Sequence, residues 1–272
     1  MYKIEELLDF KGKVVIITGG STGIGEGCVR VFKSAGATVI FCARSKDRGD
    51  ALANELNAKG PGNCYFIKCD VSNPDEVKLL IDKTLNRYRR LDCLINNAGY
   101  HPPHHPIDEF SIKDFKNVIQ TNLVSIFTAC KYALPYLRQT QGVIINISSL
   151  VGIIGQEWAT TYCATKGGII SFTKALAIEE SRYGVRVNVV LPGNIITESR
   201  KRFTTQQSDS SIDWDKMIDG WQWMGRSGTI EEVGWACLFL ASKLASYITG
   251  VELIISGGSE LGFGKKYPPK FS

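Results

Sequence analysis

The 272-residue chain contains no stretch of eighteen apolar residues, so no membrane-spanning helix is expected. Its first ten residues, MYKIEELLDF, carry Glu5, Glu6 and Asp9 and lack a hydrophobic signal region. Its last three, KFS, form no peroxisomal address. The eight cysteines include no Cys-x-x-Cys pair. Without that spacing or a leader, a disulfide framework is not expected, and the compartment is read as reducing and cytoplasmic. Several cysteines lie inside apolar runs such as VIFCA and LDCLI, where a thiol acts as a small hydrophobe. Cys163 has two readings, reactive nucleophile or packing residue, and packing is favoured. Histidine is scarce: His101, His104 and His105 all fall in HPPHHP. No carboxylate or cysteine joins them at ligand spacing, so they read as a loop rim, and no metal site is expected. The net charge of +5 is scattered apart from KKYPPK near the C-terminus. A nucleic-acid reader needs a basic stripe on a recognisable motif, and none is present.

What is present is a 44% apolar chain long enough for one large α/β domain. KVVIITGG is a β-branched run without alternation, the pattern of a strand buried on both faces of a parallel sheet. It leads into TGGSTGIG and then a helix, EGCVRVFKSAG. Glycines at that junction let backbone approach a phosphate, and the helix start supplies donors and positive dipole. ATVIFCA is the second strand, ending at Ala43, eighteen residues after Gly25. An acidic residue near that place bonds the ribose hydroxyls of NAD. Here Ala43 is followed by Arg44, Ser45 and Lys46. Arg44 can grip a 2′-phosphate bidentately, so NADP(H) is favoured and NAD(H) is kept as possible. The competing reading has Arg44 and Lys46 simply opening a solvated helix. Further strands are CYFIKCDV, with Asp70 at its end, LDCLINNAG, VIINIS, GVRVNVVLPG and GVELIISGG. Ser72 reads as an N-cap before Pro74. The strand–helix alternation predicts a single-domain, doubly wound, Rossmann-type parallel sheet of about seven strands with helices on both faces. Ligands bind at the carboxyl ends of such strands.

Tyr162 and Lys166 are four apart in a stretch that reads as helix, so they share a face. The free phenol titrates at about 10, and a neighbouring ammonium lowers that value, which suits Tyr162 to proton transfer. Ser149 follows VIINIS, and its hydroxyl could bond an oxygen that Tyr162 also reaches. Asn122 lies in an apolar helix and therefore needs a partner. Residues 196–228 break the strand–helix pattern and carry Trp214, Trp221 and Trp223. They read as a lid or specificity loop, whose tryptophans either stack on substrate or pin the lid. The last residues, from about 265 to 272, read as a flexible tail.

Together TGGSTGIG, NNAG, Asn122, Ser149, YCATK and PGNIIT resemble the short-chain dehydrogenase/reductase family, in order and at its spacing, over about Lys11 to Gly264. The resemblance implies hydride transfer between a secondary alcohol or ketone and NAD(P)(H). It implies Tyr162 as general acid or base, Lys166 lowering its pKa and holding the nicotinamide ribose, Ser149 orienting the substrate oxygen and Asn122 supporting a relay water. It further implies a phosphate turn of Gly19, Ser21, Gly23, Ile24 and Gly25, with Asp70, Val71, Asn97 and Gly99 on the adenosine side. Ile195 and Thr197 then meet the carboxamide, Pro192 and Gly193 join the cofactor-binding residues, and His101, Gln156 and Trp158 face substrate. Within the family the chain is similar to a hydroxysteroid dehydrogenase branch also associated with L-fucose oxidation, both NAD-linked. A homotetramer or homodimer is implied too. An alternative of another class is a catalytically silent nucleotide-binding scaffold.

Overall fold

The apolar runs become strands because each can bury both of its faces. In the computed structural model, which describes residues 4–198, 200–201 and 213–261, the strands are β1 (Val14–Thr18), β2 (Thr38–Ala43), β3 (Asn63–Lys68), β4 (Cys93–Asn96), β5 (Val143–Ile147), β6 (Arg186–Pro192) and β7 (Glu252–Ile255). All pair in parallel in the order β3-β2-β1-β4-β5-β6-β7. Side chains alternate across the sheet. Val14, Ile16, Leu94 and Ile144 join one apolar core, and Val15, Ile17, Ile95 and Ile145 join the other. The order reverses between β1 and β4, which opens a crevice at their carboxyl ends.

The helices close both faces. The helix Gly23–Ser34 packs against the helix Ile230–Ala241 so tightly that a Cβ on Gly27 would lie 2.2 Å from the Ile230 carbonyl oxygen. Thr229 and Glu232 start the second of these with a reciprocal capping box. Two local expectations need correction. Asn73, not Ser72, caps the helix Pro74–Tyr88, because its side chain accepts from Asp75 N–H. Ser72 instead donates to Asp70 through both its amide and its hydroxyl. Asp70 lies in the turn beyond β3 rather than at the strand's last position. No described helix is long and apolar enough to cross a membrane. All eight cysteines are free. The lid is described only in part, as residues 196–198, 200–201 and 213–228, and the expected tail at 265–272 lies outside the described residues.

Candidate active site

The phosphate turn is built by close approach. Gly19 and Gly23 take left-handed backbone (φ 66° and 58°), which a side chain would strain. A Cβ on Gly25 would sit 2.1 Å from the Gly19 oxygen. Thr22, at the N-cap of the helix Gly23–Ser34, makes no side-chain cap, so that helix start keeps its donors for a phosphate. This cradle fits a dinucleotide, with Gly19, Ser21, Gly23, Ile24 and Gly25 as its backbone lining. Asn97 joins the two turns at the crevice. Its amide donates to the carbonyls of Thr18 (2.9 Å) and Gly19 (3.1 Å), and the Thr18 hydroxyl accepts from the amides of Asn97 and Ala98. Asn97 thus fixes the glycine turn to the NNAG turn. Thr18 was not legible as a site residue, since a threonine ending a strand is unremarkable in sequence.

At the adenosine edge, Arg44 and Ser45 are exposed just beyond β2. Burial pushes the Asp70 carboxyl up, but the Ser72 hydroxyl and amide, with the Arg44 charge, hold it below the usual carboxylate value. Arg44 and Asp70 therefore border the same edge, and Val71 follows in the same turn. Lys46 pairs with Asp50 at 2.5 Å, which agrees with a solvated helix start for that residue alone. Across the crevice, Thr197 Cγ2 lies 3.4 Å from where a Gly23 Cβ would stand, so the start of the lid faces the phosphate turn. Glu198 meets Arg48 at 3.3 Å over the same gap. Pro192 ends β6 and Gly193 follows it, with Gly193 N–H bonded to the Ile255 carbonyl, and Ile195 is buried against Gly228.

The expected proton-transfer set converges. Tyr162 and Lys166 lie one turn apart on the helix Thr160–Ser181, which begins two residues before the tyrosine. Lys166 is buried, and its Nζ donates to the Ile147 carbonyl at 3.0 Å and lies 5.4 Å from the Tyr162 ring centre. Burial alone lowers its pKa to about 8. Burial pushes the Tyr162 phenol up to about 12, against the pull of the Ser149 hydroxyl bonded to it. This differs from the expectation that lysine dominates the phenol: here Ser149 is the group that favours the phenolate, and Lys166 is itself desolvated. Asn122 sits in a π-turn, Gln120–Val124, between the helices Ile112–Ile119 and Ser125–Thr140. Such single turns often mark functional sites. The buried amide finds the partners it needed in Tyr100 and Thr165. A Cβ on Gly99 would stand 3.5 Å from Asn122 Oδ1 and 3.6 Å from Lys166 Nζ, so these groups surround one point. The π-turn, Tyr100 and Thr165 had no sequence signal.

On the substrate side, the His101 ring lies 4.1 Å from the Tyr162 ring. Crowding by its neighbours lowers the His101 pKa. Its Nδ1 is 2.6 Å from the Pro102 carbonyl, so Nδ1 carries the proton and Nε2 is left as an acceptor, and Gln156 bonds the same side chain. Trp158 is 54% exposed and holds left-handed backbone (φ 57°), with its carbonyl bonded to His105 N–H. His101 thus stands against the tyrosine ring and Gln156 beside His101, while Trp158 is tied to His105. Trp214 opens a short helix, Trp214–Asp219, in the lid, and Trp221 is exposed. Neither has a described contact with Tyr162. Cys163 is half-buried and burial raises its thiol pKa, which fits a packing residue.

The chain belongs to the short-chain dehydrogenase/reductase family: a family model described as enoyl-(acyl carrier protein) reductase matches residues 19–260. It is an oxidoreductase of that family's dehydrogenase/reductase kind, acting on CH–OH with a nicotinamide dinucleotide. Among its relatives, an L-fucose dehydrogenase of Bos taurus is 46% identical over 94% of this chain and 93% of its own. A 3-oxoacyl-acyl-carrier-protein reductase of Chlamydia pneumoniae is 39% identical over 91% and 96%. The ligand-free structure of Thermoplasma acidophilum aldohexose dehydrogenase superposes with a TM-score of 0.85 at 32% identity, covering 96% of this chain and 98% of that one.

Proposed function

We propose that the protein interconverts a ring-borne secondary alcohol, of the sugar class that includes L-fucose, with its carbonyl, and that it favours NADP(H). One observation carries the reaction: the Ser149 hydroxyl bonds the Tyr162 phenol, and Lys166 Nζ, 5.4 Å from the centre of that ring, lies with Asn122 Oδ1 beside Gly99, beyond the carboxyl end of β4. Ser149 orients the substrate oxygen, and Tyr162 Oη takes its proton in oxidation or returns it in reduction. Ser149 also favours the phenolate, Lys166 would bond the nicotinamide ribose, and Asn122 would support a relay water. The dinucleotide, when bound, accepts or gives the hydride. The turn Gly19–Gly25 holds its pyrophosphate, Asp70 and Val71 its adenine, and Ile195 and Thr197 its carboxamide, with Pro192 and Gly193 also on the cofactor.

The sugar class is supported by the fucose and aldohexose dehydrogenases among the relatives. It is supported too by the acceptor on His101 and the amide of Gln156 at the tyrosine. A second reading, a 17β-hydroxysteroid, draws on the exposed Trp221 of the lid, which could stack on an apolar ring, although Trp158 departs from the hydroxysteroid enzyme that the chain resembles. It is favoured also by the resemblance of LINNAGYHPP, LPYLR and GGSELGFG to 17β-hydroxysteroid dehydrogenase type 14. The assignment of NADP(H) rests on Arg44 standing exposed where an acid would repel a 2′-phosphate. A cytoplasmic homotetramer or homodimer completes the reading.

Tyr162→Phe should abolish turnover of L-fucose and of a 17β-hydroxysteroid while cofactor still binds; retained turnover sinks the catalytic assignment. Arg44→Ala should weaken NADP+ at least tenfold and leave NAD+ within about twofold, since one charged bidentate contact is worth about 1.5–3 kcal/mol. Tighter binding of NAD+ by the unaltered protein would overturn the NADP(H) reading. Tight cofactor binding with no turnover of any alcohol would favour the silent scaffold.

A further inference from the structure

Three separate pieces of chain meet at one amide, the side chain of Asn122. Tyr100 N–H donates to Asn122 Oδ1 at 2.7 Å, which fixes the amide's orientation. Asn122 Nδ2 then donates one hydrogen to the Tyr100 carbonyl (2.9 Å) and the other to Thr165 Oγ1 (3.1 Å). Having accepted there, the Thr165 hydroxyl sends its single proton to the Tyr162 carbonyl at 2.8 Å. Asn122 and Thr165 are 0% and 1% exposed, so water does not replace either bond. A helical threonine commonly donates three residues back, and that bond alone would mean little. The second bond differs, because it is accepted from a buried amide on another element. The same amide's Oδ1 and Lys166 Nζ both border one point beside Gly99, 3.5 and 3.6 Å from where its Cβ would stand.

We propose that Thr165 is a positioning residue for proton transfer: its hydroxyl ties the π-turn to the backbone of Tyr162, so that Asn122 and Lys166 keep one fixed spacing across the catalytic point. Serine can make both bonds, and isosteric valine can make neither. Valine fills the same volume, so the packing of the helix survives while Asn122 loses an acceptor and gains freedom to turn. The inference rests on Tyr162, Lys166 and Asn122 being the catalytic set, and it holds for either substrate class.

The test compares Thr165→Val, Thr165→Ser, Asn122→Ala and the Thr165→Val/Asn122→Ala pair, with Tyr162→Phe as control, on whichever of L-fucose and a 17β-hydroxysteroid turns over. Thr165→Val should lower kcat by 10- to 100-fold with KM for substrate and cofactor within about twofold. The acidic limb of its pH–kcat profile should move to higher pH, and Thr165→Ser should restore both. The losses of Thr165→Val and Asn122→Ala should fail to add in the pair. Unchanged kcat and pH profile in Thr165→Val overturn the proposal, as does a kcat loss that serine does not rescue or that adds fully to the Asn122→Ala loss. If Tyr162→Phe keeps its turnover, the catalytic reading itself is wrong, a different failure from an inert Thr165.

Discussion

Lys166 is a charge held where a charge is costly. It is 4% exposed, and burial takes its pKa from 10.5 to about 8. Between those values the unfolded chain binds more protons than the folded one, so stability rises with pH across that window. Below pH 8 the full penalty applies, about 3 kcal/mol at 1.36 kcal/mol per pKa unit. Lys166→Met removes the penalty and loses the bond to the Ile147 carbonyl, worth about 1 kcal/mol. The variant, inactive, should therefore be the more stable at pH 7 by about 1–2 kcal/mol, with the gap closing by pH 10. Urea denaturation at the two pH values checks this; a gap independent of pH means the lysine is not desolvated. At this scale the sequence was informative where chemistry needs rare combinations. Tyr162, Lys166 and Ser149 stand out by spacing, and Arg44 by replacing an acid. Thr165, Thr18 and Tyr100 do not, because their contribution is a partner on a distant segment, which spacing does not encode.

The elements were legible for a similar reason and failed at similar places. Strands buried on both faces leave long β-branched runs, so all seven could be read from composition. The π-turn could not, since it is a one-residue shift in hydrogen bonding: Ser125 N–H reaches the Gln120 carbonyl. Nor could the cap at Asn73, where two adjacent polar residues compete and Asp70 claims Ser72. The contact of the helix Gly23–Ser34 with the helix Ile230–Ala241 was also hidden, although it carries the phosphate turn. Gly27 meets Ile230 there, and a Cβ on Gly234 would lie 2.8 Å from the Gly27 carbonyl. Alanine at Gly27 gains up to about 1 kcal/mol of helix propensity but must push the helices apart, at a cost of about 1–3 kcal/mol. Gly27→Ala should therefore unfold at lower urea. It should also bind cofactor more weakly, because the helix start proposed to hold the pyrophosphate moves with it. Unchanged affinity would show that the glycine turn is held by Asn97 alone.

On the scale of the whole molecule, large apolar side chains remain outside the two cores. Trp235 and Phe239, one turn apart on the helix Ile230–Ala241, are 59% and 37% exposed, and Tyr247 follows fully exposed. Ile178 and Phe127 stand out from the helices Thr160–Ser181 and Ser125–Thr140. Single exposed hydrophobes are ordinary, but paired ones on a helix face commonly mark an interface. The helix bearing Trp235 is the one packed on the helix of the phosphate turn, and the helix bearing Ile178 also bears Tyr162. An interface through either would therefore stiffen the site as well as cover apolar surface. Carboxylates there should oppose burial strongly. Trp235→Glu with Phe239→Glu is expected to reduce the sedimentation coefficient from that of a tetramer or dimer to a smaller species. Each protomer should keep its fold by circular dichroism, with kcat falling in step with dissociation. A protein that sediments as a monomer before any substitution would remove this role from the exposed faces and leave the site to hold its shape alone.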